Sequence, residues 1–406
     1  MTARAFFAKR VVTCDALRAT PANLLGAIDD GVVVIEGNAI TFVGSAIDAP
    51  KGADRIGCED FVVTPGLVDA HTHACWVGSR HGEYAVRMAG GDYRAIAQAG
   101  GGILSSHRAI VAASEAELVA ALSARLTRMA RMGVTTVEVK SGYGLLPEQE
   151  KKQLRAIAAA AKSPTAPHVV ATFLALHALP ESARVDRAGF VAHVARQLVP
   201  EVARERLARF VDAYVDENAF TIEEARAVCA PARALGLGVR LHVGQFADVR
   251  GAELCAELGA LSADHLEHVS EAGARALAAA GTHAVLLPTA SFTLGQSPPP
   301  IALLRAHGVP LVVASDANPG TAPTESLPLA IALAVRLYGL SPEEALIGAT
   351  RLAAASLGIG DQRGALRVGM RADLVVWELP HEHALVQPWG TPQAREVLRD
   401  GVSLLI

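Results

Sequence analysis

Short apolar runs alternate with amphipathic stretches through the middle of the chain. Eight runs rich in Val, Ile, Leu and Ala predict strands, near residues 62–70, 134–141, 168–176, 210–216, 238–244, 261–266, 283–288 and 309–315. Most of them are separated by stretches with the spacing of an amphipathic helix. Capping boxes begin three of the helices, at Ser114, Thr221 and Ser341, each with Glu three residues later. This alternation predicts an α/β fold, a (β/α)8 TIM-like barrel, whose functional side chains lie at the carboxyl ends of the strands.

Both ends of the chain have a different pattern, of short strands and turns. Gly37-Asn38 lies between two apolar runs and is the two-residue signal of a β-hairpin. Near the other end, the turn-rich segment 364–369 leads into an apolar run at 372–377. The two ends therefore predict one small β-sandwich domain, built from residues 1–63 and 364–406, beside a barrel domain of residues 64–363.

Composition and charge exclude several classes of protein. The 406 residues are 51% hydrophobic, and the net charge of −4 comes from 37 basic and 41 acidic residues. These charges are interspersed and form no basic stripe, so we expect no nucleic-acid partner. Neither an apolar segment of the roughly 20 residues that span a bilayer nor a signal peptide stands out, so we expect no membrane association. Five scattered cysteines are typical of a reducing compartment and predict a cytoplasmic protein.

Two histidines at the end of the first apolar run are the strongest chemical signal. His71 and His73 are separated by one residue. Because alternate side chains of an extended strand share a face, both imidazoles point the same way. Two imidazoles on one rigid face are a ready pair of ligands for zinc or iron. Two unrelated polar residues at a strand end are the alternative interpretation.

Later strands also end in polar side chains of the types that bind metals or move protons. These are His177, His242, His265 and Asp316. One histidine at a strand end is more often a structural residue than a ligand. Four strand ends with a histidine, and Asp316 on the last strand, are hard to explain in that way. Because the carboxyl ends of barrel strands converge, we predict a metal-dependent active site there.

The motifs around these residues resemble those of the amidohydrolase superfamily over nearly the whole chain. The matching segments are Gly78-Ser79-Arg80, Gly100-Gly101-Gly102-Ile103, Lys140-Ser141-Gly142-Tyr143-Gly144-Leu145, Ser262-Ala263-Asp264-His265-Leu266 and Ser315-Asp316-Ala317-Asn318-Pro319-Gly320. Within the superfamily they are similar to the branch that opens the ring amide of 4-imidazolone-5-propanoate in histidine degradation. The implied product is N-formimidoyl-L-glutamate.

The resemblance implies one transition-metal ion per chain, zinc or iron. Its ligands would be His71, His73, His242 and Asp316. Two-metal members of the superfamily often use a modified lysine on the fourth strand, and the run 210–216 contains no lysine. Lys140 lies on the second strand and is interpreted as a structural residue or a charge neighbour.

The resemblance also implies roles in catalysis and in substrate binding. His265 would stabilise the developing oxyanion or move a proton, and Asp316 would pass a proton from the attacking water to the leaving nitrogen. The substrate would be held by Arg80, Tyr143, His177 and Gln245, with Asn318, Gly320 and Thr321 near the product-like end. Arg80 suits a small-molecule substrate with a carboxylate, because a guanidinium forks onto that group. A homodimer is common in this branch and is expected here.

Two other functions remain open from the sequence. The first is a related deaminase that releases ammonia from a nucleobase or a formimino compound. Such enzymes commonly place Glu three residues after the fifth-strand histidine, where this chain has Gln245, which cannot shuttle a proton. The second is a non-catalytic barrel kept as a scaffold, which predicts missing ligands, and no ligand is missing from the sequence.

Overall fold

The computed structural model describes residues 3–91, 101–387, 389, 391 and 393–405. The strands, numbered in chain order, are β1 (Arg4–Val11), β2 (Ile28–Glu36), β3 (Ala39–Ser45), β4 (Asp54–Pro65), β5 (Leu67–Asp69), β6 (Val134–Lys140), β7 (His168–Leu176), β8 (Phe210–Val215), β9 (Gly238–Val243), β10 (Ser262–His265), β11 (His283–Leu286), β12 (Leu311–Val313), β13 (Leu374–Trp377), β14 (Ala394–Arg399) and β15 (Val402–Ser403). The α-helices are His81–Met88, Ile103–Ala112, Glu115–Arg131, Pro147–Ala160, Arg187–His193, Val199–Arg204, Ile222–Ala234, Gly251–Leu258, Glu271–Ala280, Pro288–Leu294, Ile301–Ala306, Leu327–Tyr338, Pro342–Gly348 and Arg351–Ser356. Short 3-10 helices span Ala46–Asp48, Glu181–Ala183 and Glu382–Val386, and a π-helical turn spans Val194–Leu198.

A seven-stranded mixed sheet joins the two ends of the chain. Its order is β15-β14-β13-β4-β1-β2-β3, and β13 pairs antiparallel with β4. The predicted hairpin is confirmed, because β2 and β3 are antiparallel and Gly37 between them has a φ of +59°. Alternate residues of β13 enter different cores. Leu374 and Val376 pack within the sheet's own cluster, whereas Val375 and Trp377 join the main core that includes the barrel helices.

The predicted barrel is confirmed as an eight-stranded parallel sheet. Strands β5 to β12 lie in chain order, each beside its neighbour in sequence. Its first and last strands meet through backbone hydrogen bonds just beyond their carboxyl ends. The Asp316 N–H donates to the His71 carbonyl at 3.1 Å, and the His73 N–H donates to the Ala317 carbonyl at 3.0 Å. The barrel therefore closes through the segments that carry the predicted metal ligands.

The apolar run at 62–70 is divided between the two sheets. It was predicted as one strand, but residues up to Pro65 belong to β4 and residues from Leu67 belong to β5. Gly66 lies at the junction, and a Cβ atom there would overlap the Thr135 side chain. Only glycine allows this close approach. The chain can therefore pass from one sheet to the other without a loop.

The three predicted capping boxes are all present. The hydroxyls of Ser114, Thr221 and Ser341 each accept from the backbone N–H of a glutamate three residues later. In the long segment between β5 and β6, the structure describes the helices His81–Met88 and Ile103–Ala112 before the helix Glu115–Arg131. Gly100 and the rest of 92–100 lie outside the described residues. The five cysteines are free and buried. No helix in the described part of the chain is both long and apolar enough to cross a membrane.

Trp377 links the seven-stranded sheet to the barrel, and its truncation should destabilise the fold. The side chain is 1% exposed, and its indole N–H donates to the Thr64 hydroxyl at 2.8 Å. Trp377→Ala should lower the free energy of unfolding by about 3–5 kcal/mol, the usual cost of truncating a buried aromatic side chain. Chemical denaturation measures this loss. Trp389→Ala is the matched control, because Trp389 is 56% exposed; equal losses for both variants would contradict the assignment.

Candidate metal centre and active site

Three imidazoles and one carboxylate meet where the barrel closes. The Nε2 atoms of His73 and His242 are 3.3 Å apart. One Asp316 oxygen, Oδ1, lies 3.6 Å from Nε2 of His71 and 3.6 Å from Nε2 of His73. The three histidines offer ligand atoms that all lie within 4.8 Å of one another. The four predicted ligands therefore form one compact group, buried at the end of the barrel.

Local backbone features aim these side chains. The Asp69 carboxylate accepts from the Ser315 N–H at 3.0 Å and from the Ser315 hydroxyl at 2.5 Å, which holds the ends of β5 and β12 together. Asp316 and His265 have φ angles of +56° and +83°. A positive φ is costly for a residue with a side chain and is often found at functional sites. These two residues leave the regular strand direction, and both side chains line the cavity described below.

The group has the properties of a metal site. Burial lowers the pKa of His71, His73 and His242 well below the ordinary value, so the imidazoles are neutral and able to ligate. Nε2 of His71 is buried, and no described residue forms a hydrogen bond with it. Two imidazole nitrogens that each lie about 2.0–2.1 Å from one zinc ion, at a tetrahedral angle, are about 3.3–3.4 Å apart. The observed spacing of the His73 and His242 nitrogens matches this distance.

Among the described residues, the neighbours of Asp316 compensate its negative charge only in part. Burial raises the pKa of this carboxyl group to about 7. The side-chain N–H of Asn318 donates to its Oδ2 at 2.9 Å, which favours the ionised form but does not neutralise it. A cation next to Oδ1 would restore the ordinary ionised state. Neutral imidazoles and one carboxylate are a donor set that suits zinc or iron.

Two buried carboxylates orient the histidines from below. Nδ1 of His71 lies 2.7 Å from Asp264 Oδ2, and Nδ1 of His242 lies 3.1 Å from Asp212 Oδ1. A carboxylate at Nδ1 fixes the tautomer and the ring orientation and makes the other nitrogen a better ligand. The sequence motif around Asp264 pointed to this family, but neither aspartate was assigned a role. For Asp212 the available signal was a charged residue inside an otherwise apolar strand, and for Asp264 it was a position beside His265.

Lys140 connects these carboxylates. Its ammonium group donates to Asp212 at 2.9 Å and to Glu138 at 3.0 Å, and it lies 3.7 Å from Asp264. Burial opposes its charge, but Asp212, Glu138 and Asp264 together raise the pKa of Lys140 above its ordinary value. Lys140 is thus a charge neighbour of the centre and part of its structural support. Arg240, 3.7 Å from Asp264, is the second cation of this network.

His265 lies beside the predicted ligands, and its ring faces the carboxylate of Glu267. Its Nδ1 is 3.6 Å from Glu267 Oε2, and Glu267 Oε1 accepts from the Ser291 hydroxyl at 3.0 Å. Burial opposes the imidazolium, but Glu267 and Asp316 raise the pKa of His265 above its ordinary value. Its ring centroid lies 5.6 Å from that of His242. The side chain can therefore act as a hydrogen-bond donor close to the centre.

A cavity of about 460 Å³ opens above the centre and collects the other predicted residues. Its lining includes His73, Arg80, Tyr143, His177, His242, Gln245, His265, Asp316, Asn318 and Thr321. Two predicted residues lie just outside this lining. His71 is fully buried, and Gly320 lies against Arg80, where a Cβ atom would overlap the guanidinium.

Contacts from neighbouring loops hold the polar groups of this cavity. His177 Nδ1 lies 2.8 Å from the Gly142 carbonyl. The Tyr214 hydroxyl donates to the side-chain oxygen of Gln245 at 3.0 Å. The Asn318 side-chain oxygen accepts from the Thr321 N–H at 2.7 Å, so Asn318 holds its own loop as well as Asp316. Each of these polar groups has a defined direction before any ligand binds.

Several lining residues were not predicted from the sequence. They are Arg184, Arg187, Tyr214, Phe220 and Phe246 among others. Tyr214 lies in β8, and the other four come from the segments that follow β7, β8 and β9. Arg187 is paired with Glu224 at 2.5 Å. None of these five residues belongs to a ligand motif, and their convergence on the cavity depends on the three-dimensional fold.

Removal of the carboxylate behind His71 should weaken metal binding. Asp264→Asn keeps the shape of the side chain but removes the charge that orients and polarises the imidazole. The affinity for zinc should fall by about 10- to 100-fold, as is usual for such supporting carboxylates. Competition with a chelator measures the affinity. Asp248→Asn changes an exposed carboxylate in the loop after β9 and should have no effect; an unchanged affinity in Asp264→Asn would refute the supporting role.

Comparisons with known proteins agree on one family. The model of the amidohydrolase family matches residues 62–403. The imidazolonepropionase of Caulobacter vibrioides is 46% identical over 369 residues, which are 90% of this chain and 92% of that protein. The imidazolonepropionase of Mesorhizobium japonicum is 44% identical over 371 residues, which are 90% of each chain.

Solved structures support the fold. An atrazine chlorohydrolase from Arthrobacter aurescens, complexed with zinc, has a TM-score of 0.70 and 16% sequence identity, over 98% of this chain and 94% of that one. An adenosine deaminase from Xanthomonas campestris, with bound zinc, has a TM-score of 0.68 and 20% identity, over 98% and 92% of the two chains. The identities to the two imidazolonepropionases are more than twice as high and cover almost as much of the chain. The chain belongs to the amidohydrolase family and, within it, to the imidazolonepropionases.

Proposed function

We propose that this protein hydrolyses the ring amide of 4-imidazolone-5-propanoate to N-formimidoyl-L-glutamate, a step of histidine degradation. The observation that carries this proposal is a guanidinium in the same cavity as the imidazole and carboxylate group. Arg80 is 8% exposed and lines that cavity. A buried cation near a hydrolytic centre suits a small ring with a carboxylate tail, because a desolvated carboxylate needs a charged partner.

One zinc or iron ion would be held by His71, His73, His242 and Asp316. The spacing and protonation of these side chains support this set, and the absence of a lysine from β8 supports a single ion. When bound, the metal supplies a Lewis acid and lowers the pKa of a water molecule towards about 7. The two zinc-containing structural neighbours favour zinc over iron.

The protein's own groups would move the proton and stabilise the charge. Asp316 takes a proton from the attacking water as the new C–O bond forms at the ring carbonyl. Asn318 keeps the Asp316 carboxylate in one orientation through its 2.9 Å hydrogen bond. His265 donates a hydrogen bond to the oxygen that becomes negative. The ring C–N bond then breaks, and the proton passes from Asp316 to the leaving nitrogen.

The remaining lining residues would hold the substrate. Arg80 would bind the propanoate, while Tyr143, His177 and Gln245 would contact the ring. Asn318, Gly320 and Thr321 would lie near the product. Gln245 can hydrogen-bond but cannot shuttle a proton, which weighs against a nucleobase deaminase. A cytoplasmic location and a homodimer stay predictions from the sequence.

A rate assay on 4-imidazolone-5-propanoate, with metal analysis of the same sample, tests the proposed function. We expect ring opening to N-formimidoyl-L-glutamate and about one transition-metal ion per chain. Removal of the metal with a chelator should abolish turnover, and zinc should restore it. Release of ammonia from a nucleobase, without activity on imidazolone propanoate, would support the deaminase instead. Two tightly bound ions per chain would refute the single-metal site.

The catalytic roles of Asp316 and His265 can be separated by their effects on metal content. Asp316→Asn removes a ligand and the proton acceptor, so both metal content and kcat should fall. His265→Ala removes only the hydrogen-bond donor, so metal content should stay normal. Each variant should lower kcat by roughly 100-fold or more. His268→Ala changes an exposed histidine three residues along the chain and serves as the control. Near wild-type kcat at either position would exclude its role.

A further inference from the structure

The Arg80 guanidinium is held by a neighbouring carboxylate. Its Nε and Nη2 atoms donate to the same oxygen, Oε2 of Glu83, at 3.0 Å and 2.8 Å. The two residues are three positions apart at the start of the helix His81–Met88, where such side chains can meet. The Arg80 side chain is 7% exposed and that of Glu83 is 21% exposed. This ion pair is therefore partly removed from water, which strengthens it relative to an exposed pair.

The same oxygen also secures a neighbouring loop. Glu83 Oε2 accepts from the Gly102 N–H at 3.0 Å. Gly102 has a φ of +66° and immediately precedes the helix Ile103–Ala112. The first residues of that helix, Ile103 and Leu104, line the cavity. Glu83 thus joins the arginine to a segment that forms part of the cavity wall.

The opposite side of the guanidinium lies against another loop. A Cβ atom at Gly320 would overlap the Arg80 guanidinium, so only glycine allows this approach. The Gly320 carbonyl in turn accepts from Nη2 of Arg87, in the same helix as Glu83, at 3.1 Å. The Arg80 guanidinium is therefore confined between Glu83 and Gly320.

We propose that Glu83 is a positioning residue that orients Arg80 towards the substrate carboxylate and so sets the preference for carboxylate-bearing substrates. This inference rests on the proposed function, in which Arg80 binds the propanoate. Glu83 holds the Nε–Nη2 edge of the guanidinium, so the Arg80 side chain is fixed beside the cavity before a substrate arrives. Ordering a long side chain before binding removes an entropic cost from the binding step.

Glu83 has two opposing effects on the binding of a carboxylate by Arg80, and the change in KM shows which effect dominates. Its negative charge weakens the attraction of Arg80 for another anion, whereas its hydrogen bonds fix the guanidinium in place. If orientation dominates, Glu83→Ala should raise KM for 4-imidazolone-5-propanoate by about tenfold, the scale of losing hydrogen bonds to a charged group, with little change in kcat. Glu83→Gln keeps one acceptor oxygen and should recover part of the loss. A lower KM in Glu83→Ala would overturn the inference.

A double-mutant cycle tests whether Glu83 acts through Arg80. We compare kcat/KM in the wild type, Glu83→Ala, Arg80→Met and the double variant. If Glu83 only positions Arg80, its removal should change kcat/KM by less than about twofold once Arg80 is methionine. If it acts through Gly102 and the cavity wall, the loss should persist in the Arg80→Met background, and that result would refute the inference. Glu257→Ala breaks an exposed pair in which the same two nitrogens of Arg226 donate to the two oxygens of Glu257, and it is the control.

A binding measurement keeps this test independent of the proposed reaction. The probes are 3-(imidazol-4-yl)propanoate and 4-methylimidazole, which lacks the carboxylate, titrated calorimetrically into the metal-loaded protein. Glu83→Ala should weaken the first probe by about tenfold and leave the second unchanged. If Glu83→Ala weakens only the first probe, but the wild type does not turn over imidazolone propanoate, the proposed function alone is refuted. Equal losses for both probes would refute the role of Glu83.

Discussion

The buried ammonium group of Lys140 holds together the carboxylates that support the candidate metal centre. A lone charge inside a barrel costs several kcal/mol, so it persists only with close partners. Lys140 has them in Glu138 and Asp212, at 3.0 Å and 2.9 Å, and in Asp264 at 3.7 Å. Two of these partners, Asp264 and Asp212, also hold His71 and His242, which are proposed ligands. The orientation of the imidazoles is therefore set by a charge balance inside the barrel more than by apolar packing.

The same balance of charges makes the surroundings of the candidate site negative. With all groups ionised, Lys140 and Arg240 face three carboxylates, and the network carries one net negative charge. The histidines above it are neutral because burial depresses their pKa. Asp316 adds a further potential negative charge. A cation placed among the ligands meets an environment that is already negative, which lowers the desolvation cost of binding it.

Much of the fold and of the candidate site could be predicted, because hydrophobic periodicity reflects burial and because barrel strands present functional side chains at their carboxyl ends. The eight barrel strands were visible as apolar runs, and the proposed ligands lie where such strands end. The break at Gly66 was not visible, because it depends on how closely Thr135 approaches across the barrel. The roles of Asp212 and Asp264 were missed for a similar reason. Asp264 pairs with His242 in the sheet register, and its side chain contacts His71. Both contacts join different strands, so the sequence of one strand does not reveal them.

A metal ion at the junction of the first and last barrel strands would also stabilise the fold. The first and last strands are joined beyond their ends by two backbone hydrogen bonds, and the proposed ligands His71, His73 and Asp316 come from both sides of that junction. An ion bound there would act as a cross-link that closes a circle of strands. By mass action, such a cross-link adds about 4 kcal/mol to the stability of the closed barrel when the free ion concentration is about 1,000 times its dissociation constant. Loss of the ion would therefore lower the stability of the closed barrel in the same step that removes activity.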